Sequence, residues 1–230
     1  MTSSAAIPCD AGQSTCGPLD KGRHHYGGKT VILASTVLET ARGAFKVSTH
    51  GADGPDRCLS ISVGDLTRSG AAVRLHSACI FGEALAACDC DCGPQLATAM
   101  QEVARRGSGV VIYLYQEGRG AGIDLKIQGM ELQRVKGINS YEAYATLGLS
   151  RDLREYSLAQ VALEDLKLAD HVALLSNNPT KRAALESFGY VIDEQVALSY
   201  QVSQRAFEYL HMKHAEGQHA LDFDKIRFVG

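Results

Sequence analysis

The sequence predicts a mixed α/β fold, in which a half rich in antiparallel strands precedes a half built from β-α-β units. From Thr30 to Ile80, glycines separate several short runs rich in Val, Ile and Thr, a pattern typical of strands joined by turns. Further along, apolar β-branched runs alternate with stretches of helical periodicity, as they do in β-α-β units. The 230 residues are 45% hydrophobic and 21% charged, which is typical of a globular protein with one core.

The charge balance excludes some classes of partner. A net charge of −3 and a pI near 6.2 give no electrostatic reason to bind a nucleic-acid polymer or an anionic membrane. No apolar run reaches the roughly 20 residues of a membrane span. Residues 1–28 contain polar residues throughout in place of the apolar segment of a signal peptide. We therefore expect a cytoplasmic protein with a disordered tail at 1–28 and one domain over 29–230. The reducing cytosol favours thiolates over disulfides.

The first half is predicted to deliver a polar strand to a functional site. The predicted strands are Val31–Thr36, Phe45–Thr49, Leu59–Val63 and Ala72–Ile80, with a turn at Gly51–Pro55 between two of them. Strict alternation in the last strand places Arg74 and His76 on the face opposite Leu75. Because cysteines follow directly, we interpret this polar face as the side of the site; without them, a solvent-exposed face would be favoured.

A glycine-rich turn interrupts the second half. Pro94 starts a helix that Gly107 ends, and a strand follows from Gly109 to Tyr115. The turn Glu117–Gly122 then leads into a helix over Ile123–Lys136. Strand, glycine-rich turn and helix suit phosphate binding, although the glycine spacing matches no dinucleotide or P-loop fingerprint. By itself the motif is equally consistent with a plain tight turn.

Capping signals predict the remaining elements. Ser140 caps a short helix, and Ser157 forms a capping box at the start of a helix through Leu168. Asn178 caps another helix, whose first turn carries Lys181 and offers an anion seat. The other predicted elements are a loop at Gly148–Arg154, strands at His171–Leu175 and Tyr190–Leu198, a helix from Pro179 to Gly189, and a last helix with Phe207, Leu210 and His214.

Four of the seven cysteines lie between Cys79 and Cys92. Cys88, Cys90 and Cys92 alternate with aspartates too tightly to bridge one another easily. The same aspartates make a poor core strand, although free cysteines are often small buried hydrophobes. Metal ligation is the better interpretation. Cys79, Cys90 and Cys92 supply three thiolates, and no histidine at zinc-finger spacing completes a closed structural site. A zinc ion with an open position lowers the pKa of a bound water to about 7.

Four ordered motifs resemble those of the GTP cyclohydrolase II family, which opens the guanine imidazole ring at the start of riboflavin synthesis. The resemblance covers roughly Gly43 to Lys181. The motifs are Arg74-Leu-His-Ser-x-Cys79 with Cys90-Asp-Cys-Gly-x-Gln95, then Gln116-Glu-Gly-Arg119, the pair Asp152 and Arg154, and Ser176-Asn-Asn-Pro-Thr-Lys181.

The resemblance implies a hydrolase of the GTP cyclohydrolase II kind, acting on GTP or a related purine nucleotide. It implies Zn²⁺ at Cys79, Cys90 and Cys92, Mg²⁺ with the triphosphate, and a homodimer. Asp152 is the implied proton acceptor and Arg154 the group that attacks the triphosphate. Because arginine stays protonated above pH 12, an electrostatic role for Arg154 is as plausible, and a surface ion pair is the plain alternative. The implied substrate-binding residues are Arg74, His76, Ser77, Gln95, Glu117, Gly118, Arg119, Met130, Ser140, Ser176 and Lys181.

Three positions depart from the family pattern. Ala78 stands where the family has glutamate, Asp89 where it has arginine, and Met130 where it usually has tyrosine. The resemblance implies ring opening with release of pyrophosphate, giving a formamidopyrimidine nucleotide or, after loss of formate, the deformylated diaminopyrimidine nucleotide. A thioether cannot donate the hydrogen bond that a phenol donates, so we hypothesise that the reaction stops at the formamidopyrimidine. The alternatives are a variant enzyme for another purine nucleotide, a non-catalytic zinc-stabilised nucleotide-binding module, and a metal-free redox protein that uses the Cys88 to Cys92 cluster.

Overall fold

The computed structural model describes residues 31–51, 56–217 and 223–229. The strands are β1 (Val31–Thr40), β2 (Gly43–Gly51), β3 (Arg57–Val63), β4 (Ala71–Ser77), β5 (Gly109–Leu114), β6 (His171–Leu174), β7 (Val191–Gln195), β8 (Tyr200–Ser203) and β9 (Ile226–Val229). The helices are α1 (Ile80–Glu83), α2 (Cys92–Arg106), α3 (Ile123–Lys136), α4 (Ser140–Thr146), α5 (Ser157–Asp165), α6 (Pro179–Ser187) and α7 (Gln204–Gly217). The predicted tail at 1–28 and positions 52–55 of the predicted turn lie outside the described residues.

Seven of the described strands form one mixed sheet, in the order β1-β2-β3-β5-β4-β6-β7. Strands β1 and β2, β2 and β3, and β3 and β5 pair antiparallel. Strand β4 pairs parallel with β5 and β6, and β6 pairs parallel with β7. The predicted fold class, an antiparallel-rich first half followed by β-α-β units, is therefore confirmed.

Strand β4 is the point at which the order of the parallel strands reverses. The crossover through α2 leads from β4 to β5 on one side, whereas β6 lies on the other side of β4. Loops that leave the carboxyl ends of the strands diverge at such a point and open a crevice, where proteins of this architecture bind ligands. The segments that follow β4, β5 and β6 therefore meet at one edge of the sheet.

Helices cover both faces of the sheet. On one face, Leu163 of α5 and Leu185 of α6 pack in a cluster with Leu75 of β4. On the other face, Val103 of α2 packs with Val111 of β5. No helix within the described ranges combines the length and apolar character that crossing a membrane requires.

The predicted alternation along β4 is confirmed. Leu75 is fully buried in the cluster beneath α5 and α6. Arg74 and His76 project from the opposite face and are 5% and 2% exposed, so the polar side of β4 does not face solvent. Two polar side chains at this depth need partners of their own, which the loops at the strand ends provide.

Several predicted boundaries are wrong around the site. The strand predicted to reach Ile80 ends at Ser77, because the Cys79 amide turns to donate to the Glu83 carboxylate (2.9 Å). The helix predicted from Pro94 already begins at Cys92, since proline is tolerated throughout a first turn, where its missing N–H has no intrahelical role.

Two capping predictions are also wrong. Asn139, not Ser140, caps α4, with its side chain accepting from the Tyr141 and Glu142 amides. Helix α5 has no side-chain cap; it ends at Asp165, short of the predicted Leu168. The prediction for α6 is confirmed, since the Asn178 side chain accepts from the Thr180 amide (2.8 Å).

The C-terminal part of the chain contains a feature that the sequence did not predict. The strand predicted at Tyr190–Leu198 spans only Val191–Gln195. After it, β8 pairs parallel with β9 in a separate two-stranded sheet, with α7 between them. Tyr200 packs against both this unit and the α2 face of the main sheet, so α7 is held beside the site.

Candidate active site

The carboxyl ends of β4, β5 and β6 border a cleft of about 810 Å³. The thiol groups, the glycine-rich turn and the loop before α5 all contribute to its wall. The predicted site residues that line this cleft are Ser77, Cys79, Cys90, Cys92, Gly118, Arg119, Met130, Ser140, Asp152 and Arg154. The topology thus brings together residues that lie up to 77 positions apart in the sequence.

The three predicted metal ligands form one cluster. The Cys79, Cys90 and Cys92 sulfurs all lie within 4.8 Å of one another, and those of Cys79 and Cys90 are 3.7 Å apart. Thiolates about 2.3 Å from a tetrahedral zinc ion stand about 3.8 Å from each other, so the spacing fits. No histidine or carboxylate of the described residues joins the three sulfurs as a further ligand. The cluster can therefore hold a metal ion with one position open.

The three thiols of the cluster differ in the direction of their pKa shifts. Hydrogen bonds from the Cys90 and Cys92 thiols hold the pKa of Cys79 well below its usual range. The same hydrogen bonds to Cys79 raise the pKa of Cys90 and of Cys92. Cys79 is thus the most acidic of the three thiols, and a metal ion bound here would displace the protons of Cys90 and Cys92.

Two glycines allow the cysteine loop to close tightly on α2. A Cβ atom at Gly82 would lie 2.7 Å from the Cys90 sulfur, and one at Gly93 would lie 2.2 Å from the Gly82 carbonyl oxygen. Both distances are far shorter than a carbon atom tolerates. The position of Cys90 therefore depends on the absence of two side chains.

Lys126 of α3 places a cation beside the thiols. Its Nζ lies 3.2 Å from the Cys79 sulfur and 2.6 Å from a Glu117 oxygen. Burial acts to lower the pKa of Lys126, but the hydrogen bond to Glu117 and the Cys79 charge outweigh it and raise the pKa. Lys126 therefore remains charged and offsets part of the negative charge of the thiolates. Glu117, predicted to bind substrate, lines neither cavity described here and instead fixes Lys126.

A half-buried carboxylate, that of Glu83, orients the other side of the loop. Glu83 accepts from His76 Nε2 (2.8 Å), from the Cys79 amide (2.9 Å) and from the Tyr113 hydroxyl (2.6 Å). Burial lowers the pKa of His76 to about 4, so this imidazole is neutral at neutral pH. Its Nδ1 atom has no hydrogen-bond partner among the described residues.

A second cavity of about 110 Å³ adjoins the cleft and is strongly cationic. Arg74 and Lys181 line it, each only 5% exposed, together with Arg154. Asp91 is the fully buried carboxylate on its wall. Other predicted site residues also line this cavity, namely His76, Gln95, Ser176 and Ser77, the last of which lines the cleft as well.

Buried polar atoms on the wall of this cavity have no hydrogen-bond partner among the described residues. Arg74 donates to the Leu175 carbonyl (2.9 Å) and to Gln95, but its Nε has no partner among the described residues. The same holds for the Ser77 hydroxyl. Since buried polar groups are nearly always hydrogen-bonded, these atoms mark where a polar ligand fits. Three cations against one carboxylate suit a polyanion.

Asp152 and Arg154 form a bidentate ion pair where the two cavities meet. Arg154 Nε donates to Asp152 Oδ1 (2.8 Å), and its Nη2 donates to Oδ2. Burial acts to lower the pKa of Arg154 and to raise that of Asp152, but the hydrogen bonds between them outweigh burial. The net effect raises the pKa of Arg154 and lowers that of Asp152, so both stay charged at neutral pH.

Arg119 lies in a pocket of aromatic rings. Its guanidinium carbon lies 4.2 Å from the centroid of the Tyr141 ring, and Nη2 donates to the hydroxyls of Ser140 (3.0 Å) and Tyr209 (3.1 Å). Its backbone is left-handed, with φ +54°, which costs a residue with a Cβ about 1 kcal/mol or more. The Leu153 amide donates to its carbonyl (2.9 Å) and helps hold this conformation.

The family model for GTP cyclohydrolase II matches residues 31–197. That range contains all four motifs, in the arrangement just described. The chain belongs to the GTP cyclohydrolase II family. GTP cyclohydrolase-2 of Shewanella sp. strain ANA-3 is 38% identical over 193 residues, which cover 82% of this chain and 93% of that protein. The enzyme prediction is thereby confirmed at the level of the family, a family of hydrolases.

Two further proteins share part of their length with this member of the GTP cyclohydrolase II family. RibBA, a riboflavin biosynthesis protein of Bacillus velezensis, is 40% identical over 191 residues, which cover 81% of this chain. The chain spans about half of RibBA, 47% of its length. RibBX of A. baumannii, a two-domain 3,4-dihydroxy-2-butanone 4-phosphate synthase, superimposes on 74% of the chain with a TM-score of 0.44 and 18% identity, a likeness too low to bear on fold or function.

Sequence reasoning missed several residues of this GTP cyclohydrolase II site. Lys126 had a usable signal, since it follows the glycine-rich turn and lies near the start of α3. Lys181 likewise lies near the start of α6. Glu83 lies one helical turn after Cys79, where it can reach back to the amide. Tyr200 and Tyr209 had no local signal, because only the fold brings the C-terminal segment to the cleft.

Replacing Lys126 with methionine is expected to weaken metal retention about 10- to 100-fold, the usual cost of losing an outer-shell partner. The thiolates then lose the cation that offsets their charge, while the side-chain length is preserved. Metal release to a chromogenic chelator measures the effect. Lys136→Met, on the exposed end of the same helix, is the control. Equal release from both variants would rule out this role.

Proposed function

We propose that the chain hydrolyses GTP, opening the imidazole ring of guanine and releasing pyrophosphate. The observation that supports this most directly is the shared wall of the two cavities: Ser77, Cys92, Arg154 and Asn178 line both the thiol cleft and the cationic cavity. One nucleotide can therefore place its base at the thiols and its phosphates among the buried cations.

The three cysteines are proposed to hold Zn²⁺, and the triphosphate to enter with Mg²⁺. Bound at three thiolates with an open position, zinc supplies Lewis-acid activation of water at neutral pH. Ring opening adds water across the bond between C8 and the ribose-bearing nitrogen, so that C8 becomes a formamide carbon. Thiolate softness and the sulfur spacing favour zinc over Mg²⁺ at this cluster.

The chain's own groups are proposed to bind and orient the nucleotide. Arg74 and Lys181 neutralise the phosphates inside the second cavity, at a depth where each charge acts strongly. Pyrophosphate release is a hydrolysis, in which water attacks the α-phosphorus and the bond from that phosphorus to the pyrophosphate oxygen breaks. Arg154 approaches the α-phosphate as a cation and stabilises the charge that grows there. Its raised pKa argues against a neutral, nucleophilic arginine. Asp152 fixes the orientation of Arg154 and, with a lowered pKa, is ionised as a proton acceptor must be.

The assembly and pathway are proposed on the family alone. A homodimer in the cytoplasm, with a single catalytic domain over 29–230, is the form that the family relationship favours. Relatives include a protein named for riboflavin biosynthesis. The product suits that pathway only if formate is released, and Met130 is the residue whose side chain bears on that release.

Incubating the zinc-loaded protein with GTP tests the proposed function as a whole. We expect mass spectrometry to show consumption of GTP, release of pyrophosphate and a nucleoside monophosphate whose imidazole ring has gained one water. Unchanged GTP in the presence of bound zinc would contradict the proposal.

Replacing Cys90 with serine is expected to abolish both zinc retention and ring opening, because a neutral hydroxyl is a poor zinc ligand. Metal analysis should find about one zinc ion per unmodified chain. Cys88→Ser is the matched control, since Cys88 lies two residues away, is exposed and stands outside the sulfur cluster. Full ring opening by the Cys90 variant would overturn the ligand assignment.

Pyrophosphate release and ring opening are expected to separate. Arg154→Met should lower pyrophosphate release about 10²- to 10³-fold, the usual cost of removing one group that stabilises transition-state charge. Cys90→Ser should retain measurable pyrophosphate release without ring opening. Arg182→Met, on the exposed side of α6, is the control. Loss of both reactions to the same extent in both variants would contradict the division of roles.

Met130 is proposed to stop the reaction at the formamidopyrimidine. This half-buried thioether lines the cleft and cannot supply the acid–base assistance of a phenol, which is typically worth about 10² to 10⁴ in rate. We expect little formate from the unmodified protein and a rise of that order in Met130→Tyr. Met130→Phe, which adds the ring without the hydroxyl, is the control. Stoichiometric formate from the unmodified protein would contradict the proposal.

A further inference from the structure

The loop that carries two of the cysteines is held at three points by one C-terminal segment. The Ser203 hydroxyl donates to the Cys88 carbonyl (2.6 Å), and Arg205 Nε lies 2.7 Å from Asp89 Oδ1. The Tyr200 hydroxyl donates to Asp91 Oδ2 (2.8 Å). The contacts therefore fall on Cys88, Asp89 and Asp91, on either side of Cys90. We name residues 200–209 the C-terminal clasp.

The C-terminal clasp has a fixed position of its own. Val202 and Ala206 are almost fully buried in a cluster with Ile226 of β9. The Ser203 oxygen also accepts from the Ala206 amide (3.1 Å), so one hydroxyl both starts α7 and holds the cysteine loop. A group anchored in this way can restrain the loop, which has little regular structure of its own between α1 and α2.

The clasp also reaches the rest of the site. Arg205 and Tyr209 line the thiol cleft, and Tyr200 lines the cationic cavity. Arg119 donates to the Tyr209 hydroxyl (3.1 Å). The match to the family model ends at residue 197, so the C-terminal clasp lies outside the matched part of the chain.

We propose that the C-terminal clasp is a positioning element for the metal centre, holding Cys90 and Cys92 in the geometry that retains zinc. The proposal rests on the zinc site of the proposed function. Its strongest contact is between Tyr200 and Asp91, because Asp91 is fully buried and removing a hydrogen bond from a buried carboxylate is costly. Gln95 Nε2 also donates to the same carboxylate oxygen. The ion pair of Arg205 and Asp89 is the weaker contact, with side chains 74% and 40% exposed.

The expected effects on zinc release follow the strength of these contacts. Tyr200→Phe keeps the ring and removes the hydroxyl, and should speed zinc release about 10- to 100-fold, as for other outer-shell partners of a metal site. Arg205→Ala and Asp89→Ala should each speed zinc release about two- to five-fold, the range set by an exposed ion pair. The double variant should be no faster than either single variant, because the pair acts as one unit.

Zinc release from the full-length protein to a chromogenic chelator measures these effects without relying on activity. Tyr190→Phe and Arg182→Ala are the controls, since neither residue contacts the cysteine loop. Faster release in the clasp variants, with control rates unchanged, is the expected result.

Two other outcomes would overturn the proposal and can be told apart. Unchanged release from Tyr200→Phe and Arg205→Ala, with zinc bound to the unmodified protein, overturns the clasp and leaves the proposed function standing. Absence of zinc from the unmodified protein overturns both. Arg205 is exposed, so its variant tests the clasp even if Tyr200→Phe does not fold.

Discussion

The site depends on the close approach of three cysteine sulfurs at the carboxyl end of β4. Sulfurs that lie within 4.8 Å of one another repel as thiolates, and a metal ion relieves that repulsion. The surroundings are arranged to hold the sulfurs there: Gly82 leaves space for Cys90, Glu83 accepts from the Cys79 amide, and Lys126 brings a positive charge. The chain thus stabilises a geometry that thiolates alone would avoid.

The three clustered cysteines lie close to the buried cations, so groups that can bind a metal ion and groups that can bind an anion border one site. Arg154 borders both cavities and pairs with Asp152 through two hydrogen bonds. In the proposed function, the same arginine contacts the phosphates while the base occupies the thiol cleft. Because β4 lies between β5 and β6, the fold sets the separation between the thiol cleft and the cationic cavity.

Local patterns in the sequence predicted much of the fold and the three clustered cysteines, whereas most of the other predicted site residues came from the resemblance to the family. Alternation along β4 assigned Arg74 and His76 to the site face, and Asn178 with Pro179 located the start of α6. Local signals failed where alternatives were close in sequence, as when Asn139 rather than Ser140 capped α4. They could not find Tyr200 or Tyr209, because those contacts join positions about 90 or more residues apart.

X-ray absorption at the zinc edge tests the central claim, an open centre of three thiolates, most directly. We predict three sulfur neighbours at about 2.3 Å and one lighter neighbour at the shorter distance typical of oxygen. Four sulfur neighbours would contradict the account, since Cys88 would then close the site and leave only a structural metal. A shell without sulfur would contradict it equally.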